Sequence, residues 1–250
     1  MPESYFRASA HNPASWSRRG LIGFALASLT AAGLATSAFA QRQSGPAEVP
    51  LEELMKTNGL PDIAIGKPDA KITIIEYASL TCGHCAAFHT KVLPEIKKKY
   101  IETGQARLVM REFPLDNLAA AGAMLARCSG PEKSQQVIDV LFQRQDDWIV
   151  RGNPVPKLFE VVKATGYTQD TFDKCLTDQK LLDSITTARA RASDKLGVNS
   201  TPTFFINGKR LTGAPTLSEF EKALDPLLTS GTPAGSGESQ GAAPNTKAGR

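Results

Sequence analysis

Lys71-Ile72-Thr73-Ile74-Ile75-Glu76-Tyr77 leads through Ala78-Ser79-Leu80-Thr81 into Cys82-Gly83-His84-Cys85. The first seven residues form a short, β-branched, largely apolar run, the pattern of a buried strand. From Cys82 to Tyr100 the apolar residues Phe88, Val92, Leu93 and Ile96 recur at helical spacing. Pro94 inside that stretch predicts a kink. The two cysteines therefore stand where a buried strand hands over to a helix. The first turn of a helix offers unpaired N–H groups and the positive end of the macrodipole, and both favour a thiolate on Cys82. His84 adds a second positive or hydrogen-bonding influence in the same direction. Cys85, one turn inward, is placed to attack a mixed disulfide formed on Cys82 while itself shielded. The pair can close a small disulfide, and strain or exposure raises the potential of such a bond.

Other uses of the pair fit less well. Structural zinc needs four ligands, usually a second C-x-x-C or an H-x-x-x-H. Cys128 and Cys175 stand alone, and after residue 40 the histidines are His84 and His89. A haem attachment needs histidine directly after the second cysteine, and that position is Ala86. An inert structural bridge remains as the alternative to redox chemistry. No metal and no cofactor is expected.

Working outward, Arg107-Leu108-Val109-Met110-Arg111-Glu112-Phe113 reads as a second strand, closed by Pro114. From Asn117 to Leu196 the pattern is helical, in pieces bounded by Gly130-Pro131, Gly152-Asn153-Pro154, Gly166 and Gly197. That block is too long for a loop and predicts a helical subdomain inserted into the fold. Thr203 to Ile206, Asn207-Gly208 and Lys209 to Leu211 read as a hairpin, Asn-Gly being the strongest two-residue turn signal. Leu217 to Leu228 is a closing helix. Strand, helix, strand, helical block, hairpin and helix together imply an α/β fold, a mixed central sheet flanked by helices.

The two ends read differently. Leu21 to Ala40 carries no charge, follows Ser17-Arg18-Arg19, and ends in Ala38-Phe39-Ala40. This is the layout of a secretory signal over residues 1–40, and the Arg18-Arg19 pair also permits twin-arginine export. An uncleaved membrane anchor is the alternative, although alanine is frequent in the apolar run. Residues 41–58 read as a linker with one short helical turn. Residues 229–250 hold no Val, Ile, Leu, Met or aromatic residue and read as a disordered tail. That leaves 59–116 and 197–228 for the main fold and 117–196 for the insertion. Of the 250 residues, 41% are hydrophobic and 22% charged, which excludes whole-chain disorder and fibrous repeats. The net charge of +4 is spread too thinly for a nucleic-acid partner.

Glu76-Tyr77-Ala78-Ser79-Leu80-Thr81-Cys82-Gly83-His84-Cys85, with Thr201-Pro202-Thr203-Phe204 far downstream, resembles a thioredoxin-fold oxidoreductase. The helical block between the two halves makes the chain similar to the DsbA-like thiol:disulfide oxidoreductases of bacterial envelopes. The resemblance implies that Cys82 is the nucleophile, Cys85 the resolving thiol, and Pro202 a cis-proline facing the dithiol. Sequence alone would favour trans at Thr201-Pro202. Thr201 matches the residue whose backbone pairs with substrate backbone. Glu76 matches an acidic residue beneath the dithiol, a buried carboxylate able to relay a proton to or from Cys85; the alternative is an edge-strand carboxylate facing solvent. The implied partners are exported, cysteine-containing proteins in the periplasm and a membrane redox partner that recycles the dithiol. A monomer is expected, because the N-terminal dimerisation domain of the bacterial isomerases is missing. Gly83-His84 is similar to the pair in eukaryotic protein disulfide isomerases, so oxidase, reductase or isomerase, and a non-redox peptide-binding chaperone all stay open, the oxidase leading.

His89, four residues after Cys85, is a lesser candidate for the dithiol rim and reads first as a solvated helix histidine; Trp148 reads as a helix-packing residue. Cys128 and Cys175 have no C-x-x-C setting and so no evident catalytic partner. Two buried thiols are one reading. Export favours the other, a structural Cys128–Cys175 disulfide, because leftover thiols pair in an oxidising compartment.

Overall fold

A computed structural model describes residues 45–57 and 59–229. The leader expected over 1–40 and the tail from 230 onward lie outside the described residues. Five strands form one mixed sheet: β1 (Ile63–Ile65), β2 (Ile72–Ala78), β3 (Ala106–Glu112), β4 (Thr203–Ile206) and β5 (Lys209–Thr212). Their order is β1-β3-β2-β4-β5, with β2 parallel to β3 and antiparallel to β4. All seven residues of β2 are buried, as its β-branched run requires of a central strand. Its alternation then sorts the core. Ile72 and Ile74 face a cluster with Phe88, Ile96, Phe204 and Phe220, while Ile75 and Tyr77 face the opposite cluster with Phe205, Leu196 and Val198. By the same parity Glu76 belongs to the Ile72 and Ile74 side.

The helices are α1 (Leu51–Leu54), α2 (Gly83–Ala87), α3 (Leu93–Ile96), α4 (Asn117–Cys128), α5 (Pro131–Gln143), α6 (Gln145–Trp148), α7 (Val155–Val162), α8 (Gln169–Leu176), α9 (Gln179–Leu196) and α10 (Leu217–Thr229). Between β3 and β4 the chain is helical, and its helices pack around Leu125, Leu141, Trp148 and Phe172 in a cluster that also takes in Ile63, Ala78 and Met110 of the sheet. Side chains cap these helices where the sequence supplies them. Asp116 accepts from Ala119 N at 2.7 Å, and Asp178 accepts from Leu181 N at 3.0 Å. Arg127 grips Glu112 with two bonds of 2.5 and 2.7 Å and so ties α4 to the end of β3. Trp148 is fully buried, its indole N–H donating to Leu141 O. The hairpin turns on Asn207 (φ 46°) and Gly208 (φ 98°), as the Asn-Gly pair predicts. Asn207 also accepts from Thr73 N at 2.8 Å, fastening the turn to the start of β2.

Three expectations change. Pro94 is met by widening rather than by one continuous α-helix: the chain is helical from Gly83 to Ile101, but Phe88–Val92 and Lys97–Ile101 are π-helical turns. Proline removes a backbone donor, and a wider turn next to it takes up the altered register. Residues 45–57, read as a linker, are seated on the body. Val49 and Leu54 are buried, and Val49 N and Arg210 N bond to Gly208 O and Ala47 O across this contact. Gly197 closes α9 at φ 65°, where a Cβ would lie 2.5 Å from the Cα of Gly45. Two glycines on different segments allow that approach. The last helix also runs one residue past the expected end, to Thr229. No helix among the described residues is long and apolar enough to cross a membrane.

Candidate active site

β2 delivers the chain to the helix through a tight turn in which Cys82 N donates to Ser79 O at 3.0 Å. Cys82 is the N-cap of α2, with extended backbone and no side-chain cap of its own. Its thiol is free, half-buried, and donates to Thr201 O at 3.3 Å. The Thr201-Pro202 peptide is cis. The structure therefore brings together Cys82, Cys85 and Thr201-Pro202 from two segments about 120 residues apart in the chain.

The two thiols sit in opposite environments. Cys82 is lowered to about 5, first by hydrogen bonding from Cys85, then from Thr201 and from the backbone N–H groups of Cys85 and His84, against the raising effect of burial. The Thr201 hydroxyl is buried and otherwise without a partner, which leaves it free for the thiolate. Cys85 is fully buried, and desolvation pushes its thiol far up, with the Cys82 sulfur and the Glu76 carboxylate adding to the rise. At neutral pH one sulfur is an anion and the other holds its proton. His84 takes part through its backbone, while its side chain is exposed.

Glu76 is fully buried on the central strand, which removes the edge-strand reading. Its partner is His89, whose Nε2 lies 2.8 Å from Oε2. His89 is thus no solvated surface residue. It stands one helical turn beyond Cys85, stacks on Phe142 of α5 at 4.2 Å between ring centroids, and meets Phe88 edge-on. A buried carboxylate left alone would destabilise the fold by about 3–5 kcal/mol, so the pairing explains how Glu76 is tolerated there.

Three further residues shape the site. Gln145 of α6 donates to Leu80 O at 2.7 Å and to Cys82 O at 3.2 Å, so the helical insertion holds the backbone on both sides of Thr81. Thr81 donates to Asp116 Oδ2 at 2.7 Å, which ties the same turn to the N-cap of α4. Nothing local in the sequence marks Gln145. His89, four residues after Cys85, stands on the face of the helix that carries Cys85, as its spacing allows. Among the described residues no group of three or more His, Cys, Asp or Glu gathers as a metal site.

The second cysteine pair is closed. Cys128 in α4 and Cys175 in α8 form a disulfide with Cα atoms 6.0 Å apart.

Comparison with known proteins adds a family. The profile of the Thioredoxin family matches residues 58–226. A Rickettsia bellii protein named as a protein-disulfide oxidoreductase is 35% identical over 171 residues, 67% of this chain and 64% of its own length. Disulfide bond formation protein D of Bacillus subtilis is 23% identical over 66% of this chain and 76% of its own. The crystal structure of alpha-DsbA1 from Wolbachia pipientis superposes with a TM-score of 0.63 at 34% identity, covering 69% of this chain and 96% of that one.

Proposed function

Because the chain belongs to the DsbA-like branch of the thioredoxin family, we propose that it exchanges a Cys82–Cys85 disulfide with the cysteines of exported proteins, chiefly as a disulfide donor. One observation carries the direction: the Cys82 thiol is lowered to about 5 at the helix mouth while burial pushes Cys85 up. A stabilised thiolate makes the dithiol the favoured state, so the disulfide is a strong oxidant.

A substrate thiolate attacks Cys82 Sγ, a new S–S bond forms, and the Cys82–Cys85 bond breaks with its electron pair going to Cys85. The buried Cys85 thiolate takes a proton from the carboxyl group of Glu76. A second substrate thiolate then attacks the substrate sulfur of the mixed disulfide, and Cys82 leaves as a thiolate, the better leaving group for its low pKa. The substrate is oxidised by two electrons and the protein reduced by two. Thr201 presents its backbone beside Cys82 for an extended substrate segment, and Pro202 borders it. A membrane redox partner restores the disulfide, and residues 1–40 direct the chain to the periplasm, where it acts as a monomer.

Refolding of reduced ribonuclease by the oxidised protein, beside insulin reduction by the dithiol, tests this reading. Fast ribonuclease oxidation with slow insulin reduction is expected. The reverse ranking would make it a reductase, a Gly83-His84 active site like those of isomerases being consistent with that outcome. Activity retained by Cys82→Ser would make it a non-redox binding protein.

A further inference from the structure

Two buried atoms around the Glu76–His89 pair have no hydrogen-bond partner in the protein: Glu76 Oε1 and His89 Nδ1. They are the two outer ends of a chain whose middle is the 2.8 Å contact between Oε2 and Nε2. Buried polar atoms are nearly always satisfied, so a matched pair of exceptions on one bonded unit calls for a role. A static ion pair would be better served with both ends bonded. One end has the fully buried Cys85 within electrostatic reach of the Glu76 carboxylate. His89 also borders a cavity of about 170 Å³, with Leu93, Lys97, Asp139 and Gln143 in the same wall.

We propose that His89 is a positioning and relay residue that connects Glu76 to water in this cavity, giving the buried Cys85 a proton path distinct from the exposed Cys82 mouth. The inference rests on the redox reading above and extends it by one residue. When Cys85 leaves as a thiolate, Glu76 gives it a proton from one carboxyl oxygen. Nε2–H of His89 returns a proton to Oε2, and Nδ1 takes one from water. A carboxyl group and an imidazole each accept on one atom while donating from another, so the pair keeps its charge and the negative charge of Cys85 leaves as hydroxide to solvent. Recharging of the disulfide runs the same transfers in reverse. The charged groups facing this path are Glu76 from β2, Cys85 from α2, Lys97 from the second π-helical turn and Asp139 from α5, the last two 3.8 Å apart. The aromatic rings of Phe88 and Phe142 hold the imidazole in place.

Two variants separate relay from packing. His89→Phe keeps a ring against Phe142 but has no nitrogen, and His89→Ala leaves room for a small molecule. Reduction of the oxidised protein by dithiothreitol and by a cysteine peptide would be followed by quenched flow and alkylation, with the Cys82 titration recorded at 240 nm. Both variants should slow roughly a hundredfold, the low end of general acid–base contributions. The Cys82 midpoint should stay put, and added imidazole should restore His89→Ala but not His89→Phe. Wild-type rates in either variant, or a deficit in His89→Ala that imidazole leaves untouched, would overturn the relay. A wild-type protein that ignores the cysteine peptide, with His89→Ala still rescued by imidazole in reduction by dithiothreitol, would remove the proposed function and leave the relay standing.

Discussion

The chain carries two cysteine pairs on one scaffold, and they differ in almost every physical respect. Cys128 and Cys175 join two helices of the insertion, Cys175 buried in an apolar cluster and Cys128 on the exposed side of α4. Cys82 and Cys85 share one short helix, one sulfur at its mouth and the other beneath it. The closed pair lies away from any helix mouth, at the last residue of α4 and near the end of α8. The open pair has two backbone N–H groups and a threonine placed for an anion. The lesson is that the setting of a cysteine, and not its pairing alone, decides whether a disulfide acts as a clasp or as a reagent.

The largest effect expected is at Cys82. Cys82→Ser should abolish ribonuclease oxidation, whereas Cys128→Ser together with Cys175→Ser should leave the rate near wild type. Loss of activity in the second protein would erase the contrast between the pairs. Next comes the titration itself. Absorbance at 240 nm should place Cys82 near 5, against about 8.5 for a free cysteine. The sign of its effect on stability follows: a depressed thiol pKa stabilises the reduced fold fully above the unfolded value, and that stabilisation fades as pH falls through about 5. Denaturant midpoints of the reduced protein should therefore rise from pH 5 towards 9, while those of the oxidised protein do not share this rise. The redox potential should fall by about 30 mV per pH unit above 5, one proton per two electrons, and about twice as steeply below it. A uniform slope through pH 5 would contradict the assignment of the anion to Cys82.

Removing the clasp should lower stability by about 4 kcal/mol in the chain-entropy view, for a closed loop of separation 47. Chemical denaturation in graded dithiothreitol would show it, with Cys82–Cys85 opening first. Simultaneous opening of the two pairs would mean that their settings matter less than claimed. The smallest effect belongs to His84. Its backbone N–H supports the thiolate and its side chain is exposed, so His84→Leu should raise the Cys82 midpoint by only about one unit. A shift of three units would transfer the control of Cys82 from the backbone to the imidazole.

What could be read from the sequence was local. The β-branched run of β2, the Asn-Gly turn and the C-x-x-C after a strand each carry their meaning within about ten residues, and each stands where it was expected. What escaped depends on chain segments that meet only in three dimensions. His89 looks like any polar helix residue until Phe142, more than fifty residues later, closes over its ring. Gln145 reaches Leu80 and Cys82 across an even longer span. Residues 45–57 are polar enough to read as linker, and what seats them is a pair of buried side chains and hydrogen bonds to the distant hairpin. The π-helical turns around Pro94 likewise require knowing that the helix continues past the proline because Leu93 and Ile96 are needed in the core.

That N-terminal strap has a consequence for anyone who trims the protein. Its backbone occupies the outer edge of β5 through Glu48 opposite Lys209, Arg210 N on Ala47 O and Val49 N on Gly208 O. A recombinant chain begun at Gly59, where the folded body reads as starting, would keep all four cysteines and both catalytic motifs. It would also present β5 as an open strand edge, with the apolar seat of Val49 and Leu54 uncovered beside it. Unprotected edges recruit other strands, so such a truncation would self-associate through its sheet.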